Sequence, residues 1–412
     1  MDGLNGSDMA FVLISAALVM VMIPGLALFY GGMVKSKNVL SITLHSYVAL
    51  IIISVQWIFI GYSIAFGPDK FGLFGGLDFS FLNNVGILPN ADYSTTIPQL
   101  LFVIFQMMFA VVTGAVISGA FAERMRFPAF IMFILLWSTF VYAPIAHWVW
   151  GGSGQNAGWL KQLGVQDFAG GLVVEINSGV SGLVAAIVIG KRKKKVSEPH
   201  HIPMAVLGGG ILWFGWFGFN AGSALAINGT AVNAFLTTNS AAAAGAIGFA
   251  ACEWLIHKKP TTLGTISGAI AGLVAITPGC GYVTPMSSLF IGLVGGTLCF
   301  FAIVFLKAKL GYDDALDVFG CHGVAGIWGT IATGIFSSKA VNSAGADGLF
   351  YGNFELFKVQ LIAVGAVILY TAVVTFIILK VIDLFIKLRI SKEDESIGLD
   401  VSLHGEKAYN VI

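Results

Sequence analysis

The sequence predicts an all-α polytopic membrane protein with eleven transmembrane helices. Three observations carry that expectation. Charged side chains make up only 10% of the 412 residues, where soluble domains carry about 25%. Hydrophobic residues reach 57%. Apolar runs of membrane-crossing length recur along the whole chain, and in lipid only helices and closed barrels satisfy their own backbone. The formal net charge of +1 gives no reason to expect an acidic or basic partner, and nucleic acid is excluded.

In order, the spans read as 9–33, 39–66, 98–122, 127–149, 168–190, 202–221, 233–256, 262–278, 286–306, 317–336 and 355–386. The opening MDGLNGSD lacks the basic flank of a signal peptide, so the first span is read as a helix of the bundle. Basic residues fall in every second connection: Lys35 and Lys37, Arg124 and Arg126, the run Lys191 to Lys195, Lys258 and Lys259, then Lys307 and Lys309. The positive-inside rule makes those connections cytoplasmic. An odd number of spans then leaves the N-terminus outside and the C-terminus in the cytoplasm of a cell-membrane protein. The KRKKK run needs no role beyond anchoring that topology.

Ten spans divide into two fives, residues 1–190 and 202–336, around the basic loop 191–201. Five spans per half force opposite orientations, the arrangement of an inverted repeat. Residues 337–388 supply an outer loop and the eleventh helix, and 389–412 a cytoplasmic tail. The outer loop 67–97 is the longest connection before that tail, and no soluble domain is visible. Glycine, with 52 copies, recurs at helical spacing at Gly264, Gly268 and Gly272 and at Gly320, Gly323, Gly326 and Gly329. Small residues so placed allow close helix packing in lipid.

The stretch 167–190, DFAGGLVVEINSGVSGLVAAIVIG, places one carboxylate, Glu175, inside an apolar span. An ionisable group there is expensive and marks a functional site unless something nearby satisfies it. A second Asp-led, glycine-rich stretch at 317–336 holds His322. Together the two resemble halves of one pore. Asp167 stands where an N-cap would stand. His147, Glu123, Arg124 and Arg126 read as helix-end anchors, and Glu253 and Asp383 as partners of nearby basic side chains. Cys252, Cys280, Cys299 and Cys321 lack C-x-x-C spacing and read as small packing residues.

Aromatic residues concentrate at Phe105 and Phe109, at Trp148 and Trp150, and through Trp213, Trp216, Phe217 and Phe219, with Ser223 four residues on. Singly, each reads as core or interfacial belt. Collectively, aromatic faces beside a hydroxyl suit a cation that also donates hydrogen bonds. The segments FQMMFA, ERMRFPAF, PIAHWVWGG, DFAGGLVVEIN, GWFGFNAGSA, SGAIAGLVAITPGCGYV, DVFGCHGVAGIWG and GLDVSLHGEKAYN resemble the Amt/Mep/Rh ammonium transporter family nearly end to end.

That resemblance implies a homotrimer with a hydrophobic pore in each subunit. It implies that Phe109, Trp150 and Ser223 form an outer ammonium site with Asp167 as a nearby structural acid, that Phe109 and Phe219 form a gate, and that His322 is the second of two pore histidines. PII-type regulatory proteins meet the cytoplasmic face of family members. One position departs: Glu175 stands where most members have the first pore histidine, as in a subset of the family. The expected function is ammonium transport, with methylammonium as analogue and Glu175 and His322 as the proton relay. Neither cofactor, metal site nor enzymatic step is expected, because no nucleophile–base or metal-ligand spacing occurs. The alternatives are an ammonium sensor signalling through its tail and a proton-coupled carrier of another small solute.

Overall fold

The structure, a computed structural model, describes residues 3–193 and 198–409. Lys194 and Lys195 of the basic run, the first two residues and the last three of the tail lie outside the described residues. The chain is an all-α multi-pass membrane protein. Among the described residues, ten helices are long and apolar enough to cross a membrane: α1 Gly6–Met33, α2 Ser36–Phe66, α3 Gln99–Phe121, α4 Phe127–Trp150, α5 Gly171–Ile189, α6 Ile202–Gly222, α7 Gly229–His257, α9 Pro285–Leu310, α10 Phe319–Phe336 and α11 Phe354–Phe385. The eighth in chain order, α8 Thr262–Ile276, is apolar but only 15 residues long. Leu13, Ile51, Leu207 and Leu369 are exposed on these helices, the side chains a bilayer would cover.

Local sequence explains where the helices begin. Asn5, Asn228, Thr261, Thr284 and Asn353 each accept a bond from a backbone N–H of the first turn that follows, satisfying donors a helix start leaves unpaired. Proline stands in the first turn of α4, α6 and α9, where its missing N–H costs nothing. Expected ends shift by a few residues, most at α7, which starts at Gly229 rather than 233, and α9, which runs to Leu310 rather than 306.

Glycine sets the helix contacts that matter for the site. α1 lies along α6, where a Cβ on Gly208 would stand 2.2 Å from the backbone N of Phe29. α5 crosses α10 at Gly179, whose Cβ would stand 2.2 Å from the N of Gly323. Such crossings are open only to residues without side chains. Both crossing helices begin in wide π-type turns, Gly171–Ile176 and Phe319–Val324, and these are the turns that carry Glu175 and His322.

Two short helices follow α11: α12 Lys392–Ile397 and α13 Leu399–His404. The tail rests on the bundle. Asp400 accepts from the backbone N of Leu40 and Ser41 at 3.1 and 2.8 Å, and Leu399 N donates to Asn38 Oδ1 at 2.8 Å. The loop 67–97 contains a two-residue hairpin, β1 Asp69–Lys70 against β2 Phe74–Gly75.

Candidate functional site

Three levels of polar and aromatic groups follow one another through the bundle. The first is an open vestibule of about 470 Å³ bordered by Trp150, Ser223, Gln106, Lys161 and Asp167, among others. Trp150 ends α4, and its indole Nε1 donates to the carbonyl of Asp167 at 2.8 Å. Lys161 Nζ donates to the carbonyls of Trp150 and Gly152 at 3.0 and 2.6 Å, fixing the turn behind the indole. Ser223 Oγ donates to the carbonyl of Phe219 at 2.9 Å. A hydroxyl that spends its hydrogen this way presents only lone pairs to the vestibule. Asp167 borders the same space, yet its two oxygens accept four backbone N–H groups, from Gly170, Gly171, Leu172 and Val173, at 2.6–3.3 Å. Its carboxylate is committed to the start of α5.

Below lies an aromatic plug. Phe109 and Phe219 stack with centroids 4.1 Å apart and planes 23° apart, while Trp150 meets Phe109 edge-on at 6.0 Å. Both phenylalanines are buried. Phe105, one turn from Phe109, adds a further edge contact at 5.0 Å.

The third level is a cavity of about 20 Å³ lined by Phe219, Trp216, Val112, Val116, Glu175 and His322, with aliphatic side chains of α1, α6 and α8 around them. Here His322 Nδ1 stands 2.7 Å from Glu175 Oε2. Residues 147 positions apart in sequence thus share one bond. A Cβ on Gly326 would stand 2.8 Å from Glu175 Cβ, so that glycine clears the room in which the carboxylate reaches across.

The sequence matches the profile of the Ammonium Transporter Family over residues 10–409. It is 57% identical to an ammonium transporter of Bacillus subtilis across 403 residues, 98% of each chain. It is 46% identical to the ammonium transporter Amt1 of Archaeoglobus fulgidus, covering 98% of this chain and 100% of that one. The crystal structure of Saccharomyces cerevisiae Mep2 superposes with a TM-score of 0.88 at 36% identity, over 95% of this chain and 89% of Mep2. The chain belongs to the ammonium transporter family. It is an ammonium transporter of the membrane, and not an enzyme.

Within this ammonium transporter, geometry amends several readings of the sequence. The carboxylate that reaches the start of α10 is Asp314, whose Oδ2 accepts from Phe319 N at 2.7 Å. Asp317, which opens the stretch by sequence, has φ +60° and pairs with Lys307. Glu253 does not meet a basic side chain in the described ion pairs; it accepts from the N and Oγ1 of Thr261 at 2.8 and 2.9 Å, closing the turn between α7 and α8. Asp383 does pair with Lys387, at 3.8 Å. Sequence reasoning does not single out Gln106 or Lys161 as site residues. Gln106 shares the FQMMFA helix with Phe109, and its Oε1 is buried without a partner among the described residues, the signal that distinguishes it.

Proposed function

We propose that ammonium is recruited in the vestibule, passes the Phe109–Phe219 plug and crosses the cavity as ammonia, with its proton handled by Glu175 and His322. The observation that carries this reading is the order of the three levels. Ser223 borders the vestibule, while Phe219 stands one helical turn away in the plug and also lines the cavity of the pair. Trp150 borders the vestibule and offers its ring to a cation, with Phe109 edge-on to the indole in the plug. Ser223 and Gln106 offer oxygens to the cation's N–H groups, and leaving the buried Gln106 oxygen unpaired is costly. Potassium carries the same charge but has no hydrogen to give. An apolar cavity then favours the neutral species, because an uncompensated charge there pays a large desolvation penalty.

The inverted five-helix repeat is supported by the pairing of α1 with α6 and of α5 with α10. The same reading puts the N-terminus outside and the C-terminus in the cytoplasm of the cell membrane, following the basic connections. It further assigns a homotrimer, with glycine faces at subunit contacts, and a PII-type protein as partner for the tail side. Accumulation of ammonium or methylammonium by vesicles carrying the purified protein tests the transport reading. No uptake above protein-free vesicles, across a range of gradients, would defeat it. Mass measurement in mild detergent tests the trimer, which a fully active monomer would exclude.

A further inference from the structure

The four cysteines are all free, and two of them touch. Cys299 Sγ on α9 lies 3.4 Å from Cys321 Sγ on α10, although 22 residues separate them. The contact has an identifiable cause. Both helices widen into π-type turns here, Ala302–Leu306 in α9 and Phe319–Val324 in α10. A Cβ on Gly320 would stand 2.9 Å from Ile303 Cγ1, so the bare glycine lets the two turns close on each other and brings the thiols together. Cys299 is fully buried and Cys321 is 7% exposed.

We propose that Cys299 and Cys321 form a dithiol site that takes a trivalent thiophilic metalloid, with arsenic(III) as its probe. Two thiolates on one pyramidal arsenic(III) keep their sulfurs near van der Waals contact, the spacing already present. A disulfide would need them at about 2.0 Å, well inside that spacing, and an external oxidant as well. Arsenic needs none. Two As–S bonds form, two As–O bonds of arsenous acid break, and the two thiol hydrogens leave with the hydroxides as two waters. No electron changes hands. Arsenous acid is uncharged at neutral pH, so an apolar surrounding does not bar it as it bars an ion.

The site has a functional consequence that rests on the transport reading above. Cys321 directly precedes His322, the residue bonded to Glu175. A bridge to α9 ties that turn to its neighbour. Bridged protein is expected to take up ammonium at least several-fold more slowly.

The experiment uses the full chain in vesicles, treated with sodium arsenite and washed with excess monothiol. Elemental analysis and intact mass are expected to find one arsenic per chain, retained against monothiol and released by 2,3-dimercaptopropanol. Retention should fall at least tenfold in Cys299→Ala and in Cys321→Ala, and persist in the Cys252→Ala, Cys280→Ala double variant. Uptake should drop in the treated wild type, return with the dithiol, and stay unchanged by arsenite in Cys299→Ala. Equal retention in either single variant, or a mass two hydrogens lighter without arsenic, would overturn the site. Full uptake by bridged protein would overturn its coupling to His322. Untreated vesicles serve as the separate check on transport itself, since arsenic retention is read without it.

Discussion

His322 Nδ1 and Glu175 Oε2 are 2.7 Å apart, on the π-type turns of two helices that cross at glycines. At that distance the two side chains share a single hydrogen-bonded proton. Written as carboxylate with imidazolium or as carboxylic acid with imidazole, the singly protonated pair is neutral. Losing its proton makes the pair anionic, a state that two neutral imidazoles in the same place do not reach. Glu175→His should therefore keep ammonium transport but move its pH dependence. Glu175→Leu should abolish proton-coupled current. Current and uptake against pH, on wild type and both variants, measure this; three superimposable profiles would remove Glu175 from the proton path.

At the outer end, Trp150→Leu should weaken discrimination for ammonium by about 0.5–2 kcal/mol, the range of a cation–π contact. Gln106→Met should act in the same direction by removing an acceptor while keeping a similar volume. Competition of other monovalent cations against methylammonium uptake reads both effects. Unaltered competition in the two variants would argue against cation recognition in the vestibule.

A third prediction concerns acid. Asp313 bridges two guanidiniums, with Oδ2 2.8 Å from Arg124 Nη1 and Oδ1 2.8 Å from Arg192 Nη2. Burial pushes its carboxyl up, but bonds from the Arg192 side chain and backbone and the nearby Arg124 outweigh that and hold it at about 2. A depressed carboxyl stabilises the fold above its unfolded value, about 3.9, and loses that contribution as pH falls toward 2. Thermal melting of the wild type should thus drop between about pH 4 and pH 2. In Asp313→Asn this component should vanish, and at pH 7 stability should fall by about 3–5 kcal/mol because Arg124, 0% exposed, is left without its carboxylate. Equal acid slopes for the two proteins would contradict the assignment.

The tail offers a fourth. Asp400 caps the backbone N of Leu40 and Ser41 near the start of α2 from the far end of the chain. Asp400→Ala should cost about 0.5–2 kcal/mol, as lost helix caps do, and should expose α12 and α13 to protease sooner than in the wild type. Limited proteolysis at matched temperature is the measurement. A tail cut no faster than the wild type would mean that the bond of Leu399 to Asn38 suffices without Asp400.

The architecture was legible because lipid restricts what a chain can do. A run such as that of α1 or α11 has one solution in hydrocarbon, so composition and spacing were enough. What escaped was pairing between distant segments. Nothing in the sequence near Cys299 indicates Cys321, and Glu253 looked like a partner for lysine until the turn placed Thr261 against it. Asp314 escaped for a related reason. The sequence leads the stretch with Asp317, and the fold brings Asp314, three residues upstream, to Phe319 N while Asp317 pairs with Lys307. Gln106 was hidden by its surroundings, since an amide within an apolar helix reads as a packing residue until its oxygen is found unpaired.

The small cavity between Phe219 and the Glu175–His322 pair has a consequence for how charge can travel. A space of about 20 Å³ is small, yet above the roughly 10–15 Å³ a water needs. In the proposed pathway, ammonia and water compete for the same small, mostly apolar space. A proton crossing this stretch of the proposed pathway is handed between Glu175 and His322, so electrical silence or current becomes a property of two residues.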